Sequence, residues 1–330
     1  MIILIVGGIT RLTYSGLSMV DWRPVMGILP PLSETDWEEV FAKYREIPQF
    51  KVYNPEMTVD EFKDIFFWEY LHRILGRLVG LLCLVPYLWF LWKKRLSGSM
   101  KGRGLGLVLL VGIQGLMGWY MVKSGLDPEG ERVLVSHYRL AVHLALAFAL
   151  FGLAWWMILD LGGGRERTGS FRGLRLWALG LLALLCLQVT YGAFISGSKA
   201  GYGFHTFPKM GDNWIPETLF GDRLSVWKNF FEYPVFIQFF HRWLGAFLTV
   251  ATIGFGWVAL RSSSLSAGQR RRIVWLMGLV ATQFCLGVVT ILFLREIDVL
   301  LPVLHQLAAL ALFAAFLACI HSFGKPSPEQ

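Results

Sequence analysis

Long apolar runs separated by short polar loops dominate this sequence. The hydrocarbon core of a bilayer is about 30 Å thick, and a helix of about 20 apolar residues spans it. Hydrophobic residues make up 55% of the chain and charged residues only 16%. The runs predict an all-α, polytopic membrane protein with eight candidate transmembrane helices, near 1–12, 64–92, 104–122, 137–160, 174–195, 235–260, 273–294 and 300–321.

The first of these runs is short for a transmembrane helix. About 12 residues of helix rise only roughly 18 Å, which is less than the thickness of the hydrocarbon core. We therefore expect either that the true start lies upstream or that the first helix is short. No basic segment precedes the run in 1–12, so we do not expect a cleavable signal peptide.

Basic residues are concentrated in three of the loops. The segments 93–103, 161–175 and 261–272 carry five, four and four Lys or Arg residues, whereas 13–63 carries nine acids and five bases. The positive-inside rule assigns the three basic loops to the cytoplasm. We predict a multi-pass protein of the cytoplasmic (inner) membrane, in contact with lipid. Because the net charge of +8 comes from these loops rather than from one soluble face, we expect no nucleic-acid partner.

The long segment between the first two apolar runs contains two amphipathic patches, 33–46 and 57–66. A Ser33-x-x-Asp36 pattern opens the first patch, and serine three residues before an acid is typical of a helix N-terminus. We predict two helices lying over the outer membrane face. The alternative is a solvated loop.

Short motifs recur in the same order in the two halves of the chain. The sequence HRILG at 72–76 recurs as HRWLG at 241–245, and Gln-x-x-x-Gly at 114–118 recurs at 283–287. The loop sequence WRPVMG at 22–27 is similar to FPKMG at 207–211. These repeats predict two pseudo-symmetric four-helix bundles, and bundles of this kind bind cofactors between facing helices. The predicted organisation is an N-terminal half over 1–160, a cytoplasmic linker over 161–173 and a C-terminal half over 174–330.

Four histidines occupy similar positions in the even-numbered helices. Each lies five to eight residues into its helix and is followed four residues later by glycine or alanine; the four are His72, His143, His241 and His305. Because the even helices all run in one direction, the four imidazoles are expected at one depth, toward the extracytoplasmic side. Neutral imidazole is an axial ligand of heme iron, and two facing helices can supply a pair. A zinc or copper site would need a third ligand nearby, so the pattern favours heme over a small metal ion.

An ionisable cluster surrounds the first of these histidines. Glu69, His72 and Gly76 lie on one stripe of the second apolar helix, because positions three and four apart share a helix face. Charged groups inside a membrane are costly and usually functional. Glu69 is the only acid at this depth and is our candidate catalytic carboxylate. The alternative is that Glu69 only pairs with Arg73 or Arg77 and so makes a buried charge tolerable.

Three arginines flank the histidine positions. Arg73, Arg77 and Arg242 could bind the carboxylate groups of a porphyrin, the propionates, through paired hydrogen bonds. The alternative is that these side chains extend toward lipid headgroups.

Longer strings in the sequence resemble the heme A synthase family, particularly the branch that includes the mitochondrial enzymes. They cover nearly the whole chain in the right order: GGITRLTYSGLSMVDW, EYLHRILGRLVG, QGLMGWYMVKSGL, YRLAVHL, FPKMGDNWIPE and QFFHRWLG. The resemblance implies an oxidoreductase that converts heme O to heme A by oxidising the methyl group at porphyrin position 8 to a formyl group. It implies stages with a hydroxymethyl group and a geminal diol, and a role in assembly of terminal cytochrome c oxidase.

The resemblance also implies roles for the candidate residues. His241 and His305 would hold a permanent heme b, while His72 and His143 would bind the substrate heme and Glu69 would be the catalytic carboxylate. Expected partners are heme O synthase and an electron-transfer partner whose identity the sequence leaves open, and the family relationship is compatible with a homo-oligomer. Two other functions remain open at this point, a bis-histidine diheme cytochrome b for electron transfer and a heme carrier. Glu69 distinguishes them, since neither alternative needs a catalytic carboxylate.

Overall fold

A computed structural model describes residues 1–21, 29–126, 133–162, 171–221 and 225–324. Within these ranges the chain is helical and contains no β-strand. The helices are α1 (Ile2–Leu12), α2 (Glu34–Glu46), α3 (Pro48–Tyr53), α4 (Val59–Trp92), α5 (Gly98–Lys123), α6 (His137–Leu161), α7 (Arg172–Ser198), α8 (Val226–Glu232), α9 (Pro234–Leu260), α10 (Ala267–Leu292) and α11 (Leu300–Ser322). Part of the predicted linker, 163–170, and the motif at 22–27 lie outside the described residues.

Seven of the described helices are long and apolar enough to cross a membrane, namely α4, α5, α6, α7, α9, α10 and α11. The prediction of a polytopic all-α membrane protein is therefore confirmed. The first of the eight predicted spans is the short apolar helix α1, which has 11 residues. At 1.5 Å per residue this helix is about 16 Å long.

The second amphipathic patch is not a separate helix over the membrane face. It forms the first turns of α4, which continues without a break for 34 residues and is about 51 Å long. Thr58 starts the helix through a capping box with Glu61, and nothing between Thr58 and the apolar run interrupts helical hydrogen bonding. The prediction of a distinct helix at 57–66 is therefore wrong, because one cap serves both segments.

The first amphipathic patch does form a helix, α2. Ser33 and Asp36 make the predicted capping box. Hydrogen bonds with the amide and the hydroxyl group of Ser33, and then with the Leu32 amide, lower the pKa of the exposed Asp36 carboxyl group. Helix α2 and the start of α4 enclose an aromatic cluster, in which Phe62 is fully buried. The cluster also holds Tyr44, and burial raises the pKa of its phenol to about 12. The buried members are Leu17, Phe41, Tyr44, Ile47, Phe62 and Phe66.

The chain divides into two compact units, Met1–Ala147 and Phe148–Gln330. In the first unit, α4 packs against both α1 and α5. In the second unit, α9 packs against α7 and α10, and α11 packs against α10 and α7. Each unit thus places a histidine-bearing helix against an apolar helix that precedes it, α4 against α1 and α9 against α7.

The same unusual turn follows α1 in the first unit and α7 in the second. Tyr14 follows α1 with φ 58°, and Lys199 follows α7 with φ 57°. Left-handed backbone is rare for residues other than glycine. A single 3₁₀ turn comes next in both units, at Ser15–Leu17 and Ala200–Tyr202. The sequence repeat is therefore matched by a repeat in backbone conformation.

Candidate functional site

Each of the four predicted histidines packs against a glycine of the apolar helix that precedes its own. A Cβ atom built on Gly7 of α1 would lie 2.8 Å from Cε1 of His72, and one built on Gly287 of α10 would lie 3.0 Å from Cε1 of His305. The corresponding distances are 3.1 Å for Gly118 and His143 and 3.3 Å for Gly192 and His241. Any side chain at these positions would press on the imidazole. An added Cβ would force the ring to shift at Gly7 and to give by a few tenths of an ångström at the other three positions.

Alanine substitutions at these glycines should have graded effects. We expect Gly7→Ala to displace His72 more than Gly192→Ala displaces His241, because the built Cβ contact is closer at Gly7 (2.8 Å against 3.3 Å). The amount of heme bound at each site measures this displacement. It is determined from the absorption spectrum of the purified variants. Equal losses of bound heme in the two variants would contradict an effect that follows these contact distances.

Three glutamines lie one turn before three of these glycines and contact the same histidines. The amide nitrogen of Gln188 lies 3.3 Å from Nε2 of His241 and donates to the backbone carbonyl of that residue at 2.9 Å. Gln114 makes the same two contacts with His143, at 3.4 Å and 3.1 Å. Gln283 lies 3.4 Å from Nε2 of His305. Each of these amides therefore touches an imidazole from the neighbouring helix.

His241 and His305 face each other in the second unit. Their ring centroids are 6.5 Å apart and their planes are inclined by 71°. Two metal–imidazole bonds of about 2.0 Å, with each ring centre roughly 1.1 Å behind its nitrogen, would place two axial imidazoles about 6 Å apart. The Nδ1 atoms of both rings are buried without a hydrogen-bond partner. The distance and the nitrogen donors fit a heme held by two histidines.

The first unit brings His72 and His143 within reach of each other. The two rings interact electrostatically, and their Nδ1 atoms are also buried without a hydrogen-bond partner. Among the residues that the structure describes, no group of three or more His, Cys, Asp or Glu side chains could hold a metal ion. A pair of imidazoles without a third protein ligand suits a porphyrin, which supplies its own equatorial nitrogens.

Glu69 is buried beside His72 on α4, with 3% of its surface exposed. One carboxylate oxygen accepts hydrogen bonds from the Ser18 hydroxyl and the Met19 amide, both at 2.8 Å. The other oxygen accepts from Arg73 at 2.5 Å. Glu69 thus forms the predicted ion pair with Arg73 and also binds the segment that follows α1. A buried carboxylate with three donors is held in one orientation.

Arg73 binds backbone carbonyl groups of the loop that follows α1, and Arg242 binds those of the loop that follows α7. Arg73 donates to the carbonyls of Met19 and Asp21 at 2.8 and 3.1 Å. Arg242 donates to the carbonyls of Phe204, Thr206 and Lys209. In the described structure these guanidinium groups fasten loops. The proposed propionate contacts of Arg73, Arg242 and the half-buried Arg77 stay predictions.

The position equivalent to Glu69 in the second unit is occupied by an amide. Gln238 lies three residues before His241, and its amide nitrogen donates to the carbonyls of Gly201 and Phe204. Gln238 therefore fastens the loop as Glu69 does, but it has no ionisable proton. Three positions before its histidine, α4 thus carries a carboxylate, whereas α9 carries an amide.

Comparison with known proteins assigns the family. A sequence model of the cytochrome oxidase assembly protein family matches residues 1–317. A heme A synthase of Nitrosospira multiformis is 42% identical over 321 residues, covering 96% of this chain and 88% of that protein. A heme A synthase of Parvibaculum lavamentivorans is 41% identical over 325 residues, covering 98% and 91%. One from Maricaulis maris is 40% identical over 317 residues, covering 96% and 90%. The chain belongs to the heme A synthase family.

In this member of the heme A synthase family, several residues of the site were not predicted from sequence. The Gln-x-x-x-Gly pattern was recognised at 114–118 and 283–287 but not at 188–192, where Gln188 and Gly192 repeat it. Gly7 was missed because isoleucine stands four residues before it. A search for glycines one helix before each histidine would have found all four. The contacts of Ser18 and Met19 with Glu69 have no sequence signal.

Proposed function

We propose that this protein is a heme A synthase that oxidises the position-8 methyl group of heme O to the formyl group of heme A. Family membership supports the reaction. The observation that carries the proposal within this chain is the difference between its two histidine sites, since a buried carboxylate, Glu69, stands beside one of them and Gln238 occupies the equivalent position at the other. A protein that only transfers electrons or carries heme would not need a carboxylate at one site and an amide at the other.

We assign the heme b cofactor to the second unit. His241 and His305 would hold it as axial ligands, consistent with their facing rings. When bound, heme b supplies a redox centre that can accept and pass on electrons. Gly192 and Gly287 keep the space beside the two imidazoles free of side chains.

The substrate heme would bind in the first unit, between His72 and His143. Conversion of a methyl group to a formyl group removes electrons and protons from the carbon and adds an oxygen atom. Glu69 would accept a proton at a carboxylate oxygen, in the role of general base. Ser18, Met19 and Arg73 hold that carboxylate in place, so that its position beside His72 is set before substrate binds.

The remaining assignments concern the surroundings of the enzyme. We propose eight transmembrane helices in two pseudo-symmetric four-helix bundles in the cytoplasmic membrane, with both heme sites toward the extracytoplasmic side. Heme O synthase would supply the substrate, and an electron-transfer partner would take up the electrons. The arrangement is compatible with a homo-oligomer.

The porphyrins bound to the purified protein test the proposed function. We expect heme A, or its hydroxymethyl precursor, together with heme b after expression with a source of heme O. Extraction and chromatography of the bound pigments separate these hemes. Heme b as the sole pigment, under conditions in which heme O is available, would favour an electron-transfer cytochrome and contradict the proposal.

Cysteine labelling tests the proposed orientation. Cysteines introduced at Ser97 and Ser263 should react with a membrane-impermeant reagent only from the cytoplasmic side, and one at Ser33 only from outside. The reason is the excess of basic residues in 93–103 and 261–272. Labelling of Ser33→Cys from the cytoplasmic side would show that the proposed orientation is reversed.

A further inference from the structure

A cavity of about 270 Å³ lies in the first unit, next to the ion pair of Glu69 and Arg73. Arg73 of α4, Lys123 at the end of α5 and Asp21 line the cavity, together with apolar groups that include Trp119. One water molecule takes up roughly 30 Å³ of the liquid, so the cavity has room for a carboxylate on a short alkyl arm. The cavity adjoins the partner of the candidate catalytic carboxylate.

Among the described residues that line this cavity, one cation forms no ion pair. The Asp21 carboxylate accepts a hydrogen bond from Lys43 at 3.0 Å, and the Arg73 guanidinium is paired with the candidate catalytic carboxylate. The exposed ammonium of Lys123 lies 5.5 Å from the ring centroid of Trp119, an attractive contact that leaves its charge uncompensated. The cavity therefore has a net positive charge, which suits an anionic group.

One stretch of α5 reaches both this cavity and a candidate ligand of the substrate heme. Gly118 packs against His143, and Val122, four residues later, lines the cavity. Residues four apart share a helix face, and four residues rise about 6 Å along the axis. The cavity thus begins about one helical turn beyond the position that contacts this imidazole.

The chemistry of the porphyrin indicates which anion the cavity would take. The methyl group at position 8 and the propionate at position 7 occupy adjacent carbons of one pyrrole ring, so a carboxylate must come close to any base that acts on this methyl group. We infer that Lys123 binds this propionate in the cavity beside Arg73 and so turns the position-8 methyl group toward Glu69. The inference rests on the proposed function. Of the four methyl groups of heme O, only those at positions 5 and 8 neighbour a propionate, so this contact favours these two over positions 1 and 3.

Porphyrin binding tests this role without any oxidation of the methyl group. The purified protein, with its heme b site filled, is titrated with zinc protoporphyrin, whose fluorescence distinguishes it from heme. A second titration uses the dimethyl ester, in which both carboxylates are neutral. We expect Lys123→Met to weaken binding of the free acid about two- to fivefold, as for an exposed ion pair, and to leave binding of the ester unchanged. High salt should reduce the difference, because it screens the pair.

Three further variants locate the effect. Lys63→Met removes a positive charge from the same unit, where Lys63 pairs with Asp60 away from the cavity lining, and it should bind both porphyrins as the parent does. Lys123→Arg keeps the charge and should retain most of the affinity for the free acid. His143→Ala should abolish binding of both porphyrins, because it removes a proposed ligand of the first unit.

The outcomes separate the inference from the proposed function. An equal loss of affinity for acid and ester in Lys123→Met would show that Lys123 supports the fold or contacts lipid headgroups. That result would overturn the inference, as would unchanged affinity for both porphyrins or binding that survives His143→Ala. If Lys123→Met does not fold, Lys123→Gln replaces it, since it also lacks the charge. A failure to find heme A in the parent protein would refute the proposed function, and the ratio of the two affinities would still decide whether Lys123 binds a propionate.

Discussion

Replacement of His241 or His305 by alanine is expected to remove the low-spin heme b that we propose for the second unit. The two imidazoles face each other at 6.5 Å between ring centroids, so both would be needed to fill the axial positions of one iron. Loss of either ligand leaves the iron five-coordinate. The absorption spectrum and the heme content of the purified variants measure the effect, and we expect at least a tenfold loss of heme per protein.

The corresponding substitutions in the first unit are the matched controls. His72→Ala and His143→Ala should leave the heme b spectrum largely intact and lose or alter the heme derived from the substrate. This contrast depends on separate sites in the two units, since each pair of histidines lies in its own unit. Loss of the same heme in all four variants would show that the assignment of two sites is wrong.

Replacement of Glu69 by glutamine is expected to lower heme A formation per folded molecule by about 10²–10⁴-fold, the usual contribution of a general acid or base. The variant should still bind heme b and accumulate heme O or an early oxidation product. Glutamine keeps the size of the side chain and one acceptor for Ser18 and Met19, but it cannot cycle a proton. Chromatography of the extracted hemes, normalised to heme b, measures the effect.

The ion pair with Arg73 supplies the competing explanation for Glu69. If Glu69 serves only to neutralise Arg73 and fasten the loop, Glu69→Gln should lower yield or thermal stability and leave heme A per folded molecule near the parental level. Gln238→Leu is the control in the second unit, since it removes the contacts that fasten the 201–204 loop without removing an ionisable group. It should affect stability and leave heme A per folded molecule unchanged.

Sequence patterns were sufficient for the class of fold and for choosing the candidate ligands. Apolar runs predicted the membrane-spanning helices because hydrocarbon thickness sets helix length, and α9 and α11 follow the predicted ranges within about two residues. The histidines could be predicted because recurrence at one depth is visible in the order of residues. The extent of α4 could not, because the patch at 57–66 is amphipathic whether it forms a separate helix or the first turns of a longer one.

The sequence alone determined which residues are present at which spacing, and therefore the family, the helices and the four candidate ligands. The tertiary structure decided what those residues touch. The pairing of Glu69 with Ser18 and the packing of His72 against Gly7 join positions far apart in the chain, and in the second unit His321 lies 2.8 Å from Asp160, 161 positions away. Helical periodicity is a local property and fixes only the face on which a side chain lies. The partner on the neighbouring helix depends on how the helices pack, which the spacing of residues does not encode.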